Sequence, residues 1–312
     1  MKAVRGAQGG VVVVDVEEPP GTGELLTMKA ASICSSDLMY IDFGFRKILG
    51  HELAGVREDG TAVVVEALYG CMECDECRRG RYNLCPTHPQ RALGVTADGG
   101  MAQQFRAPAA RLVPLPSGLD IADASIVEPA AVSWHALRLA GTAPDTRVAV
   151  VGAGALGLLA VAGARRQGVT DVAVEARHPH QREVAERLGA RPEPDGLYDV
   201  VIEAAGTEAA LARSVELVAP GGTIAVLGVH TGATVQLPWH TMFQREARVV
   251  PSLGYCRPES GREMEHAAAM LADDPEIVRS VITHRFPIED AAEAFRVARD
   301  KSTRAIRVVL EP

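Results

Sequence analysis

The sequence has no run approaching the roughly 18 consecutive apolar residues that a membrane-spanning helix needs. It also lacks a basic excess: 32 Lys and Arg stand against 40 Asp and Glu, a formal net charge of −8. Phosphate backbones and anionic lipid surfaces are held by grouped cations, so nucleic-acid and membrane partners are excluded and small molecules are expected. Low-complexity tracts and solenoid repeats are absent as well. With 47% hydrophobic residues over 312 positions, the chain has material for two domains with cores of their own. The opening MKAVRGAQGGVVVVDVEEPP has no apolar segment followed by a cleavage site, so a cytoplasmic protein is expected. In that reducing compartment six cysteines point to metal or catalysis before disulfides.

What is present is organised around residues 147–168, RVAVVGAGALGLLAVAGARRQG. Val148 to Val151 have the pattern of a strand buried on both faces. Gly152, Gly154 and Gly157 follow in a G-x-G-x-x-G spacing that opens an apolar helix through Ala155 and Leu156. The first glycine permits the tight turn, the second lets backbone approach a pyrophosphate, and the third lets helix and strand pack closely. Strand-like segments at Asp171 to Ala176, Asp199 to Ala204, Thr223 to Leu227 and Arg248 to Leu253 alternate with helical stretches such as Thr207 to Leu217. That alternation predicts a doubly wound parallel sheet, with Gly228 and Leu253 at strand ends edging a nicotinamide crevice.

Ahead of this domain the chain reads as short strands, Val11 to Val16 and Glu24 to Ala31, and Gly99-Gly100 with the alternating run after it predicts a hairpin. Cys34 lies in SICSSD, and His51 and Glu52 in ILGHELAG. Thiolate, imidazole and carboxylate are the ligand types of a catalytic zinc. Cys71, Cys74, Cys77 and Cys85 form a C-x2-C-x2-C-x7-C series. Four thiolates so close can fold a lobe around one tetrahedral zinc, an iron–sulfur cluster or two chance pairs being the other readings. Cys256 fits neither group and reads as a buried structural residue; Met101 reads as core and His135 as a helix-face histidine.

Cys34, the GHE at 50–52, the four-cysteine lobe, Glu128-Pro129 and the GAGALG turn, in that order, resemble the zinc-dependent medium-chain dehydrogenase/reductases. EPAAVSWHALRLAG at 128–141 and residues 254–295 are similar to the sorbitol and polyol dehydrogenase branch. The resemblance implies an α/β chain with a GroES-like β-rich catalytic domain, residues 1–127 with 257–312 returning to it, and a Rossmann domain, residues 128–256. It implies a catalytic zinc on Cys34, His51, Glu52 and Glu128, one carboxylate acting through water or exchanging, and a structural zinc on the four lobe cysteines, two ions per chain. Glu128 also reads as a helix-start carboxylate. Asp37 would orient His51, and Ser36 would hydrogen-bond the substrate oxygen and begin proton release; both also read as turn residues. Met39 stands where the family often has a relay histidine.

The cofactor is decided at DVAVEARHPHQ. The position where NAD enzymes keep a ribose-binding acid falls on Ala176, with Arg177 and His178 next and Glu175 one residue off. A small residue followed by Arg leaves room and charge for a 2′-phosphate, which favours NADP(H), with NAD(H) through Glu175 as the competing case. The activity implied is hydride transfer between NADP(H) or NAD(H) and a secondary alcohol or ketone of a polyol, sugar or (amino)cyclitol, in a homodimer or homotetramer. The alternatives are a zinc-free quinone or enoyl reductase of the same fold and a non-catalytic member.

Overall fold

The computed structural model describes residues 1–87, 92–232 and 234–312. They divide into two compact units, Met1–Glu128 with Cys256–Pro312, and Pro129–Tyr255. Among the described residues no helix is long and apolar enough to cross a membrane.

The first unit is β-rich. Strands β1 (Lys2–Ala7) and β2 (Gly10–Asp15) pair antiparallel as a hairpin, and β3 (Glu24–Ser32) leads into helix α1 (Ser35–Asp42). Then come β4 (Glu52–Arg57), β5 (Ala62–Val65), the short α2 (Asp75–Arg78) in the cysteine lobe, β6 (Gln104–Ala107) and β7 (Leu112–Pro114). The hairpin expected after Gly99-Gly100 does not form. Instead β6 pairs with β3 and β7 with β5, because a three-residue 3-10 turn at Ala109–Arg111 carries the chain from one strand to another. Local alternation marked the strands but not their non-local partners. Buried Val, Leu, Ile and Met side chains fill the space between sheet and helices, with Met101 fully inside.

Helix α3 (Val127–Ala140) begins two residues before Pro129, which the first turn tolerates because its missing N–H would have no partner there. The second unit follows the predicted alternation: β8 (Arg147–Val151), α4 (Ala155–Arg166), β9 (Asp171–Glu175), α5 (Pro179–Arg187), β10 (Arg191–Pro192), β11 (Tyr198–Glu203), α6 (Glu208–Leu217), β12 (Val218–Val226), α7 (Trp239–Arg245) and β13 (Arg248–Pro251). The strands form one six-stranded parallel sheet in the order β10-β9-β8-β11-β12-β13. β8 is buried on both faces, as its unbroken apolar run required. The last strand stops at Pro251, so Leu253 lies past it and is 47% exposed rather than being part of a strand.

The chain then completes the first unit with α8 (Glu263–Asp273), α9 (Pro275–Val281), β14 (Ile282–Pro287), α10 (Ala291–Arg299) and β15 (Arg307–Glu311). β15 pairs antiparallel with β3 and parallel with β14, giving the order β14-β15-β3-β4-β5-β7. This return brings Arg307 to the ends of β3 and β4, where the first candidate site lies.

Candidate metal centres and dinucleotide turn

Cys34, two residues past β3, stands at the start of α1 with extended backbone, and its N–H donates to Oδ2 of Asp37 at 2.9 Å. Asp37 is fully buried, and its Oδ1 lies 3.3 Å from Nδ1 of His51. The Ser36 hydroxyl is 3.2 Å from the other ring nitrogen, Nε2. His51 and Glu52 enter from the start of β4, across the pair Ser32–Glu52. Ligand atoms of Cys34, His51 and Glu52 all lie within 4.8 Å of one another. Burial works against a charged His51, but the Asp37 carboxylate and the Cys34 sulfur outweigh it and hold the imidazole well above its usual range.

Glu52 is 1% exposed and fully engaged: Nη1 of Arg307 donates to its two oxygens at 2.9 and 3.0 Å, and the Ser32 hydroxyl donates to Oε2. Glu128, in the first turn of α3, lies outside the 4.8 Å group but is buried beside it. Burial, then the Glu52 charge, push its carboxyl up to about 8, against the pull of His51 and Arg307. Three buried carboxylates and a thiol thus meet one imidazole and one guanidinium. A divalent cation fits here: the donor set is right, and Asp37 fixes one ring nitrogen of His51 so that Nε2 faces the other donors.

In the lobe, the four sulfurs of Cys71, Cys74, Cys77 and Cys85 lie within 4.8 Å of one another. Backbone N–H groups point at them, Cys71 to Cys85 Sγ at 3.2 Å and Cys74 to Cys71 Sγ at 3.3 Å, which favours thiolates. Burial pushes the Cys77 thiol up to about 12. For Cys85 burial acts the same way, but the Thr87 hydroxyl and N–H and the Cys71 N–H outweigh it and bring the thiol down to about 6. A Cβ on Gly70 would run into Cys77 Sγ, so only glycine lets the chain pass this close. The cluster fits one tetrahedral ion. Beneath the lobe, fully buried Glu66 accepts from the Tyr82 hydroxyl and pairs with Arg111 at 3.4 Å and Arg262 at 3.3 Å.

In the second unit Gly152 takes φ +105°, and its Cβ would stand 2.9 Å from that of Ala205. A Cβ on Gly157 would meet the Gly152 carbonyl oxygen. Gly154, by contrast, faces nothing of the chain within 4 Å, and no side chain caps the helix it begins at Ala155-Leu156-Gly157. Two of the glycines are therefore explained by packing, while the third leaves open space at the helix N-terminus.

At the end of β9 the backbone O of Glu175 accepts from Gly152 N–H at 3.0 Å, which sets this strand end beside the turn. The Glu175 carboxylate is held by Arg213 at 2.6 Å, and the neighbouring Ala176 is buried. Arg177 is exposed, and His178 caps α5 and stacks on His180 with ring centroids 5.6 Å apart. Gly228 packs against Gly206. Cys256 is buried with its N–H on Glu263 at 2.6 Å, and Arg138 reaches His135 Nδ1 at 3.1 Å.

Sequence reasoning missed Arg307, Arg213 and Glu203. Arg307 had a signal, a lone cation in the apolar strand AIRVVLE. Arg213 had none, because nothing local says which carboxylate a helix-surface arginine will meet.

Residues 22–117 match the alcohol dehydrogenase GroES-like domain, and residues 117–311 the glucose dehydrogenase C-terminus. Sorbitol dehydrogenase 1 of Saccharomyces cerevisiae is 31% identical over 310 residues, 86% of this chain and 85% of that one. The crystal structure of galactitol-1-phosphate dehydrogenase from Escherichia coli superposes over 100% of both chains with a TM-score of 0.90 at 26% identity. A dehydrogenase structure from Sinorhizobium meliloti 1021, solved bound to NADP, covers 100% of this chain and 99% of its own, with a TM-score of 0.87 and 29% identity. Sequence, fold and donor sets agree, and the chain belongs to the zinc-dependent medium-chain dehydrogenase/reductases, the family of NAD(P)-dependent alcohol and polyol dehydrogenases.

Proposed function

We propose that this protein transfers hydride between NADP(H) and a secondary alcohol or ketone of a polyol, sugar or cyclitol. The first unit would be the catalytic domain and the second the dinucleotide domain, in a cytoplasmic homodimer or homotetramer. The observation that carries the reading is the convergence of Cys34, His51 and Glu52, with Asp37 at one ring nitrogen of His51 and Ser36 at the other. Cys34 and His51 would hold a zinc together with Glu52 or Glu128, and the four lobe cysteines a second, structural one. When bound, the catalytic zinc supplies Lewis acidity to an alcohol or carbonyl oxygen, and the nicotinamide accepts or gives the hydride.

The chain's own residues do the rest. Asp37 keeps the His51 ring oriented, and Arg307 with Ser32 holds Glu52 in place. Ser36 is the hydroxyl that takes the substrate proton in oxidation and returns it in reduction. With Met39 in place of a relay histidine, that proton leaves Ser36 by another route. Arg213 neutralises Glu175, while exposed Arg177 and the start of α5 supply positive potential for a 2′-phosphate; this supports NADP(H) over NAD(H). A zinc-free reductase would have no use for a sulfur, an imidazole and carboxylates brought together in one buried place.

The test is a screen of polyols, aminocyclitols and keto sugars with both cofactors, followed at the reduced-nicotinamide absorbance band. Turnover of a secondary alcohol with NADP+ is expected. Turnover of enones or quinones alone, unchanged after metal removal, would overturn the reading.

A further inference from the structure

The buried carboxylate of Glu203 has no part in either metal centre, yet it takes three polar contacts within the second unit. It ends β11, beside β8, where the sheet order reverses from β10-β9-β8 to β11-β12-β13. In doubly wound sheets the dinucleotide lies across this reversal, beyond the carboxyl ends of the strands.

Residue 203 makes contacts on both sides. Its backbone oxygen accepts from Leu227 N–H at 2.8 Å and from Gly228 N–H at 3.1 Å. Its Oε1 accepts from Ala205 N–H at 2.9 Å and Gly206 N–H at 2.7 Å. Its Oε2 lies 3.3 Å from Nε2 of His230. The side chain is wholly shielded from solvent, so these bonds form in a weakly screening environment where charge-assisted contacts are strong.

The two turns it holds carry the contacts outward. Ala205 is the residue that Gly152 must be a glycine to approach, the Cβ–Cβ distance being 2.9 Å if Gly152 had one. Gly206 packs on Gly228, whose own Cβ would come within 2.6 Å of Glu203 Oε2. One carboxylate therefore sets the distance from the glycine turn after β8 to the turn at 228–230 after β12. On the proposed function, those turns meet the pyrophosphate and the nicotinamide end of the same ligand.

We infer that Glu203 is a positioning residue for the dinucleotide, fixing the span between its pyrophosphate and nicotinamide contacts, with His230 as its outer partner. The inference rests on the dinucleotide-binding reading of this unit, and its distinctive consequence is that the two halves of the ligand respond differently. Adenosine 2′,5′-bisphosphate reaches only the β8 and β9 side, while NADPH needs both sides.

The experiment is calorimetric titration of the purified protein with NADPH and with adenosine 2′,5′-bisphosphate, in wild type, Glu203→Gln, Glu203→Ala and His230→Ala. Glutamine keeps one oxygen for the two N–H donors; alanine leaves them unpaired. NADPH affinity is expected to fall at least tenfold in Glu203→Ala and several-fold in His230→Ala, with Glu203→Gln recovering most of the loss. The bisphosphate should bind all four proteins within twofold. Equal weakening of both ligands, or NADPH affinity unchanged in His230→Ala or in a folded Glu203→Ala, would overturn the inference. If Glu203→Ala does not fold, His230→Ala decides it. Wild-type protein that binds neither ligand would overturn the dinucleotide reading itself, a result distinct from any variant effect.

Discussion

Oδ1 of Asp37 lies 3.3 Å from Nδ1 of His51. The pair joins the first turn of α1 to the start of β4 and leaves Nε2 of the imidazole beside the Ser36 hydroxyl. Asp37→Asn should keep the ring in place but weaken its orientation and basicity. Loss of such an outer partner costs about 10- to 100-fold in metal affinity or activity. Competition with a chelator, read as zinc retained at the Cys34 centre, checks this.

Arg307 holds Glu52 inside the protein, 5% and 1% of the two side chains being exposed. Arg307→Ala leaves a buried carboxylate without its cation, which costs about 3–5 kcal/mol. Urea unfolding should show that loss. Arg307→Ala combined with Glu52→Gln should be less destabilised than the single variant, because the orphaned charge is gone.

The lobe makes a separate prediction. Cys77→Ser should lose one zinc, and Gly70→Ala should weaken its retention, since a methyl group at 70 enters the space of Cys77 Sγ. Neither should affect NADPH binding. Because a structural zinc contributes folding energy directly, we expect Cys77→Ser to lower the melting temperature by about 3 °C, the equivalent of about 2 kcal/mol in a chain of 312 residues.

On the proposed function, cofactor preference turns on two arginines. Arg177→Ala should reduce kcat/KM for NADP+ about 10- to 100-fold with little effect on NAD+, the size expected for a charged hydrogen bond to a phosphate. Arg213→Ala should raise kcat/KM for NAD+, because it releases the Glu175 carboxylate now held at 2.6 Å. Steady-state kinetics with both cofactors separates these outcomes.

Asp171 makes acid stability testable. Hydrogen bonds from Arg191 at 2.8 Å, then Arg147 at 2.6 Å, hold its carboxyl below the usual carboxylate range. A folded-state value below the unfolded one stabilises above the unfolded value, about 3.9, and that contribution disappears as pH falls through the folded value. Unfolding midpoints of wild type should therefore drop below about pH 4 more steeply than those of Asp171→Asn.

The glycine turn, the strand–helix alternation and the four-cysteine cluster were legible because each is a local pattern: a spacing of glycines, a run of apolar residues, a cluster of cysteines; Cys34, His51, Glu52 and Glu128 were read together only through the family resemblance. The buried run Val148–Val151 and the stretch 199–204 gave their strands directly. What was hidden depends on residues far apart. The pairing of β6 with β3 spans some 80 positions, and Arg307 meets Glu52 across 255. The side chain that neutralises Glu175 comes from a helix 38 residues later. Glu203 looked like one more residue at a strand end, since its role is set by the N–H groups of a turn the sequence does not reveal.

Elemental analysis of purified wild type and Cys34→Ala, alongside NADPH titration of the same samples, tests the central claim most directly. The account predicts two zinc ions per chain in wild type and one in the variant, with NADPH affinity equal in both. Equal zinc content in the two proteins, or wild type holding only the lobe ion, would contradict it.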